Sequence, residues 1–165
     1  MDATTNIQVA LATRTFRFDN VPPVSAPVTP GVDTAYRTLP AGLAGTSVDA
    51  VTTVASVKLS IYSENEPVGP RYFSGSAFDS VSEVWLPIQP SDLYPSSWTY
   101  ASGLFGWTDT RHYVVKSSAT DSIGNVQSGL GRSRFLFDIT EPVSGVLDPL
   151  NAAVYGRVKP RGGNS

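Results

Sequence analysis

Residues 55–63 read Ala-Ser-Val-Lys-Leu-Ser-Ile-Tyr-Ser, a stretch in which apolar and polar side chains alternate. Successive side chains of an extended chain point to opposite faces, so Val57, Leu59 and Ile61 share one face and Lys58 lies on the other. The pattern predicts a β-strand with one face buried in a core and the other turned outward.

The same period of two recurs later in the chain. Residues 111–119 carry Tyr113 on one face, and residues 132–137 carry Phe135 and Phe137 on one face. Weaker strand candidates cover residues 71–73, 81–86 and 98–101. We therefore predict a core that includes Val57, Leu59, Ile61, Trp85, Tyr113, Val115, Phe135 and Phe137.

The composition narrows the class of protein. The chain has 165 residues, with 41% hydrophobic and only 16% charged, and 14 Gly and 13 Pro, which is typical of a turn-rich all-β domain. No window of 11 residues has a helical period beyond a short turn near residues 90–94. The net charge of -2 disfavours a nucleic-acid partner, and no apolar run is long enough for membrane insertion. With no Cys, disulfides and Cys-based metal sites are excluded.

The two ends of the chain are copies of one another. Residues 1–37 align without a gap on residues 120–156, a shift of 119 positions. The identical pairs are Asp2/Asp121, Asn6/Asn125, Gln8/Gln127, Leu11/Leu130, Phe16/Phe135, Phe18/Phe137, Asp19/Asp138, Pro23/Pro142, Val24/Val143, Ser25/Ser144, Pro30/Pro149 and Tyr36/Tyr155. A period of one sandwich domain predicts a tandem array.

The repeat sets the predicted domain boundaries. Residues 1–29 are interpreted as the last strand of a preceding repeat plus a Pro-rich linker. Residues 30–138 are the complete module, and residues 139–165 are a second linker and the start of a following repeat. Proline favours short, stiff connections, so the linkers predict a rod rather than a loosely joined chain.

Several motifs resemble the bacterial immunoglobulin-like (Big-type) tandem repeats of large surface proteins and adhesins. The most specific is Ala119-Thr120-Asp121-Ser122-Ile123-Gly124-Asn125, followed one strand later by Asp138-Ile139-Thr140-Glu141-Pro142. Gly45-Thr46-Ser47-Val48-Asp49 and Arg71-Tyr72-Phe73-Ser74-Gly75 match earlier parts of the pattern. The resemblance implies an all-β, immunoglobulin-like Greek-key β-sandwich of two antiparallel sheets, exported to the cell surface. In such sandwiches Tyr113 would form a tyrosine corner, its hydroxyl holding the preceding loop.

Catalytic arrangements find little support in the sequence. His112 is the only histidine, and we expect it to be an outward polar residue of a strand. A glycosidase needs two facing carboxylates, but the spacing of the candidate loop acids singles out no pair. These candidates are Asp79, Glu83, Asp92 and Asp109. We therefore predict no enzyme activity, no catalytic residues and no cofactor-binding residues.

A metal site at the module junction is an open alternative. Asp49, Asp121, Asn125 and Asp138 supply oxygen atoms near predicted strand ends, where calcium stiffens many extracellular sandwiches. The same residue types form turns by accepting hydrogen bonds from their own backbone, and a role in turns is the favoured interpretation of these four residues. No residue is assigned as a metal ligand, and Ca²⁺ at the junction stays a secondary hypothesis.

Aromatic residues and lysines suggest two further alternatives. Exposed rings would stack on sugars as in a carbohydrate-binding module, whereas buried rings would build the core of a Cys-free sandwich. The rings are Tyr72, Phe73, Trp85, Tyr94, Trp98, Tyr100, Phe105 and Trp107. A self-formed Lys-to-Asn cross-link needs an inward lysine, but Lys58 and Lys116 both fall on the outward face by parity.

The favoured function is a non-catalytic structural or adhesive repeat, a stalk or spacer of a bacterial surface protein. Its partners would be neighbouring repeats or copies of the same protein, with cell-surface glycans or proteins as further candidates. The alternatives are a carbohydrate-binding module and a strand-exchanging filament subunit. For the filament, residues 8–19 copy a closing strand, and we expect them to be extended and packed as an added strand or against another chain.

Overall fold

The protein is described from a computed structural model, which covers residues 13–38, 42–64, 66–101, 105–145 and 156. The strands are β1 (Val24–Thr29), β2 (Thr34–Tyr36), β3 (Gly42–Val48), β4 (Val54–Ser63), β5 (Arg71–Phe73), β6 (Phe78–Ser80), β7 (Leu86–Pro87), β8 (Ser97–Ala101), β9 (Arg111–Asp121) and β10 (Gly131–Phe137). In these residues the only helix is a 3₁₀ turn at Pro90–Asp92. The prediction of an all-β chain with one short turn near residues 90–94 is confirmed.

The strands form two sheets. One has the order β1-β3-β8, and the other has the order β2-β10-β9-β4-β5-β6, with β7 paired to β4. The prediction of two antiparallel sheets is wrong in one detail, because the short β2 runs parallel to β10. The chain leaves the first sheet at Thr29 and joins the second at Thr34, so β1 and β2 serve different sheets.

One hydrophobic core receives side chains from both sheets. Leu43 and Trp98 come from the first sheet, and Leu59, Tyr113 and Phe135 come from the second. All five are buried, and the ring of Tyr113 stacks on Phe135 with centroids 5.6 Å apart. The apolar side chains that alternate in residues 55–63, Val57, Leu59 and Ile61, are therefore buried in the core, as predicted.

Tyr113 forms the predicted tyrosine corner. Its hydroxyl accepts a hydrogen bond of 2.8 Å from the backbone N–H of Thr108, in the loop before β9. The ring is buried, so the hydroxyl satisfies a loop donor while the ring fills the core. This contact fixes the loop at the start of β9.

Two strand and core predictions are wrong. Trp85 is half-buried and lies outside the central cluster, and the buried tryptophan is Trp98. Residues 81–86 form no continuous strand, because pairing is confined to β6 before them and β7 at their end. Phe137, by contrast, packs at the edge of the core as a partly buried residue.

Residues 24–29, assigned to a linker by sequence, form strand β1. They pair antiparallel with β3, from Val24 opposite Val48 to Thr29 opposite Ala44. β1 is the edge strand of its sheet, where Pro27 can be accommodated although it has no N–H to donate. Residues 19–23, before β1, and residues 138–142, after β10, form no strand, and we call them the N-terminal linker and the C-terminal linker.

The segment before the N-terminal linker does not pack as expected. Residues 13–18 form no strand, and Phe16 and Phe18 are 91% and 78% exposed. The first alternative, an added strand on the same module, is therefore wrong for residues 13–18, and packing against another chain stays a prediction. The rest of the copied strand, residues 8–12, lies outside the described residues. So do residues 146–165, where the following repeat is predicted to start, apart from Gly156.

Candidate functional site

Three carboxylates meet at one end of the molecule. Asp19 of the N-terminal linker, Asp49 after β3 and Asp121 at the end of β9 each place an oxygen within 4.8 Å of the others. We call these three residues the acidic cluster. It is the only group of three or more His, Cys, Asp or Glu with metal-ligating spacing in the part of the chain that is described.

Asp121 is held by a turn that follows β9. Its Oδ1 accepts hydrogen bonds from the backbone N–H groups of Ile123, Gly124 and Asn125, at 3.0, 2.7 and 2.8 Å. Gly124 has a φ of 100°, a left-handed conformation that glycine adopts without strain. Burial acts to raise the pKa of Asp121, but the donors of Asn125, Ile123 and Gly124 outweigh it and lower the pKa.

Asp49 is held in the same way after β3. Its Oδ1 accepts hydrogen bonds from the N–H of Val51 at 2.9 Å and from the N–H and hydroxyl of Thr52. These donors lower the pKa of Asp49, the Thr52 N–H most strongly. Both Asp49 and Asp121 are therefore ionised at neutral pH.

Asp19 brings the N-terminal linker to the cluster. Its Oδ1 accepts a hydrogen bond of 2.8 Å from the N–H of Val21, two residues further along the linker. The side-chain amide of Asn125 donates to Asp121 Oδ2 at 2.8 Å and, more weakly, to the backbone oxygen of Asp19 at 3.4 Å. Asn125 therefore connects the linker to the turn that holds Asp121.

Two oxygens of the cluster have no hydrogen-bond partner. They are Oδ2 of Asp19 and Oδ2 of Asp49, and neither atom is in contact with solvent. Asp19 is only 8% exposed and Asp121 only 2%. Buried charged oxygens without a partner are costly, so the pair marks a place where a positive ligand would fit.

The structure brings together three of the four residues that the sequence offered as oxygen donors, and adds one. Asp49, Asp121 and Asn125 lie at the cluster, but Asp138 lies in the C-terminal linker, after β10. Asp19 was not proposed as a donor. The signal was present in the repeat, because Asp19 and Asp138 are the same position one period apart.

The C-terminal linker is held by Asp109, from the loop before β9. Asp109 accepts hydrogen bonds from the N–H of Ile139 at 2.7 Å and from the hydroxyl of Thr140 at 2.8 Å. Asp138 Oδ1 accepts from the N–H of Thr140 at 2.9 Å, which repeats the Asp19 to Val21 turn of the other linker. The two linkers thus begin with the same type of turn.

The remaining candidate acids are engaged elsewhere or lie at the surface. Glu83 forms an ion pair of 2.9 Å with Lys116, and Asp109 binds the C-terminal linker. Asp79 is exposed in β6, and Asp92 is half-buried in the 3₁₀ turn. His112 faces away from the core side of β9, where its neighbour Tyr113 is buried.

Most of the aromatic rings considered for sugar binding belong to the core. Phe73, Trp98 and Phe105 are buried, and Tyr100 and Trp107 pack against the core. Trp85 and Tyr72 are half-buried, which leaves Tyr94 as the only exposed ring of the eight. These eight side chains therefore form no exposed row of two or more rings.

The lysine parity is consistent with the sequence interpretation. Lys58 is exposed, and Lys116 lies on the outer face of β9, with its Nζ 5.2 Å from the centre of the Tyr62 ring. Neither belongs to the central cluster of buried residues.

In the described ranges no helix is long and apolar enough to cross a membrane. Comparison of the chain with protein-family models, with curated proteins and with solved structures finds no match.

Proposed function

We propose that this chain is a non-catalytic structural repeat of an extracellular surface protein, in which immunoglobulin-like modules follow one another end to end as a stalk or spacer. The observation that carries this proposal is the position of the two linkers. The N-terminal linker contacts the turn after Asp121, and the C-terminal linker contacts Asp109, two residues before β9 begins. These contacts lie at opposite ends of the same strand.

That strand is long enough to separate the linkers along the module. β9 contains 11 residues, and a strand rises about 3.3 Å per residue, so its ends are about 35 Å apart. A chain that arrives at one end and leaves at the other places its neighbours on opposite sides. This geometry favours a rod over a compact cluster of modules.

Both linkers make fixed contacts with the module. Pro23 and Asp19 are buried at the N-terminal side. On the other side Asp109 holds Ile139, and Arg37 pairs with Glu141 at the surface, a contact of small energetic value. In an array each linker would make both sets of contacts, one with the module before it and one with the module after it, and would transmit orientation between them.

The contacts that fix the first strand recur in the repeated sequence. The side chain of Gln127 accepts a hydrogen bond from Ser25 N–H at 2.9 Å and donates to the Ser25 oxygen at 3.0 Å. Gln8 copies Gln127, and Ser144 copies Ser25. The repeat therefore preserves the groups that hold the first strand, directly after the linker, which supports the same arrangement in successive repeats.

The strand order supports the immunoglobulin-like part of the proposal. Chain segments alternate between the sheets from β3 to β4 and from β8 to β9, and the antiparallel pairs are β3/β8 and β4/β9. Such crossing between two sheets is typical of the Greek-key arrangement of immunoglobulin-like sandwiches and supports this part of the proposal. The first strand is divided between the sheets as β1 and β2.

The exposed phenylalanines also agree with an array. Phe16 and Phe18 copy Phe135 and Phe137, and Phe135 is completely buried in the core. In a preceding repeat, Phe16 and Phe18 would fill the same places. An array thus accounts for two large apolar side chains that face solvent in the single chain. Copies of the same module are then the principal partners, and glycans or other surface proteins are secondary ones.

A seamless duplication tests the proposal. Inserting a second copy of residues 19–137 after Phe137 adds one period of 119 residues and joins Phe137 to Asp19, the counterpart of Asp138. Small-angle X-ray scattering should show the maximum dimension growing by about 40 Å, the length of β9 plus part of a linker. The cross-section should stay unchanged.

The matched control replaces Pro22 and Pro23 of the inserted linker by glycine. This control should broaden the distance distribution, because glycine linkers behave as flexible chains. An equally compact particle for the duplicated and original chains, or the same distribution for the duplicated chain and its control, would contradict an end-to-end stalk.

A further inference from the structure

We infer that the acidic cluster is a calcium site, with Asp19, Asp49 and Asp121 as ligands, and that the bound ion fastens the N-terminal linker to the module. This inference is independent of whether the chain serves as a stalk. Three carboxylates within 4.8 Å of one another, two of them on residues more than nine-tenths buried, concentrate negative charge in a small volume.

No basic side chain neutralises this charge within the described parts of the chain. The ion pairs there join Arg37, Arg111, Lys116, Arg132 and Arg134 to other acids. The charged groups of these five residues are thus engaged elsewhere. The other basic residues of the described ranges form no ion pair with the cluster; they are Arg14, Arg17, Lys58 and Arg71. A divalent cation would reduce the charge of the cluster from three negative charges to one.

The free oxygens show where the ion would bind. Asp19 and Asp49 each use Oδ1 to accept backbone hydrogen bonds, which orients the carboxylate and leaves Oδ2 available to the cluster. Both Oδ2 atoms are withdrawn from solvent and lack any partner. A buried, oriented oxygen with no donor is the property expected of a ligand atom rather than of a turn residue.

The chemistry of the ligands favours calcium. All three ligands are carboxylate oxygens, which suit hard cations, whereas zinc prefers histidine and cysteine. Calcium tolerates irregular arrangements of six to eight oxygens, whereas magnesium requires near-ideal octahedral geometry. Carboxylates from three separate chain segments match calcium better. Rotation of the Asn125 amide, which already faces Asp121 Oδ2, would present a further oxygen to the ion.

Calcium would couple the linker to the fold, since Asp49 and Asp121 belong to the module and Asp19 belongs to the linker. Extracellular modules bind calcium with Kd values on the order of 0.1 to 1 mM. The Tm of the full chain in about 10 mM CaCl₂ should be about 3 to 10 °C higher than its Tm in chelator. The same concentration of MgCl₂ should raise the Tm by less than half as much, and calorimetric titration should give one site per chain.

Asp19→Asn is the decisive variant, because an amide oxygen can still accept the hydrogen bond from Val21 but the charge and the ligand are lost. Its Tm in chelator should equal or exceed that of the original chain, and its calcium response should weaken at least tenfold in Kd. Asp138→Asn is the matched control, since Asp138 makes the same turn with Thr140 at the other linker. Its calcium response should not change.

Three results would overturn the inference. The first is a chain whose Tm and titration heat do not respond to calcium at all. The second is Asp19→Asn binding calcium as tightly as the original chain, which would place the ion elsewhere. The third is an equal response to magnesium, which would remove the assignment to calcium. Because Asp19→Asn stays folded if its chelator Tm is retained, loss of response cannot be confused with loss of structure.

Discussion

Leu59 lies at the centre of the core, on β4, between strands β9 and β7. Its side chain is completely buried together with Val57 and Ile61. Leu59→Ala should therefore lower the free energy of unfolding by about 2 to 5 kcal/mol, through lost apolar burial and a residual cavity. Urea unfolding measures the change.

Lys58→Ala is the matched control for Leu59→Ala, because Lys58 is the adjacent residue on the exposed face of β4. It should alter the free energy of unfolding by no more than about 0.5 kcal/mol. A loss below about 0.5 kcal/mol for Leu59→Ala would show that the assignment of strand faces is incorrect.

Asp109 gives the C-terminal linker a dependence on pH. The Ile139 N–H, followed by the Thr140 hydroxyl, lowers the pKa of Asp109 below its ordinary value. A lowered pKa in the folded state means that the linker contact is fully stabilising above the unfolded pKa of about 3.9 and is lost as the pH falls through the folded pKa. The Ile139 amide shift, followed by NMR, should titrate with a midpoint below about 3.9.

The variant Asp109→Asn provides the control for this titration. It removes the ionisable group, so the low-pH step in the Ile139 shift should disappear. A step that persists in Asp109→Asn, or a midpoint above the ordinary pKa of aspartate in the original chain, would refute the role given to this carboxylate.

At the scale of elements, β1 depends on one buried glutamine. The side chain of Gln127 bonds to both backbone groups of Ser25 and accepts from the N–H of Ala119 at 3.1 Å, so it joins β1 to β9 across the two sheets. Gln127→Ala should leave these buried groups unpaired and cost about 2 to 4 kcal/mol of stability. Hydrogen exchange at the Ser25 amide should accelerate.

The exposed Gln89 provides the comparison for Gln127→Ala. Gln89→Ala should leave both the stability and the exchange of Ser25 near their original values. If Ser25 exchanges at an unchanged rate in Gln127→Ala, then β1 is held by its pairing with β3 alone.

How far the sequence predicts each strand follows from the size of its side chains. β4, β9 and β10 are visible because they alternate large apolar residues such as Leu59, Tyr113 and Phe135 with polar ones. β3 is not visible in the sequence, because its inward residues include Gly45 and Ser47, which are neither large nor apolar. Gly45 must be small, since a Cβ there would collide with the Trp98 ring.

The acidic cluster was only partly predictable for a different reason. Asp49, Asp121 and Asn125 stand at strand ends, where sequence points to oxygen donors. Asp19 follows no predicted strand of the module, and its approach to the cluster depends on how the linker folds back. Such long-range proximity is set by packing, and sequence reveals it only through the copied pair Asp19 and Asp138.

At the scale of the whole molecule, an end-to-end stalk requires linkers that hold a fixed direction. A fixed direction requires that Asp19 and Pro23 remain buried on the module and that Asp109 retains the C-terminal linker. Two successive modules would then be related by one constant translation and rotation. Flexible linkers would instead produce many relative orientations from the same modules.

The distance between two spin labels in the duplicated chain, measured by double electron–electron resonance, tests this claim most directly. The chain has no cysteine, so changing Lys58 to cysteine in both copies places one spin label on the same exposed position of each module. A rigid end-to-end array predicts one narrow distance near 40 to 50 Å, about the length of β9 plus the linker. A broad distribution reaching much shorter distances would contradict it.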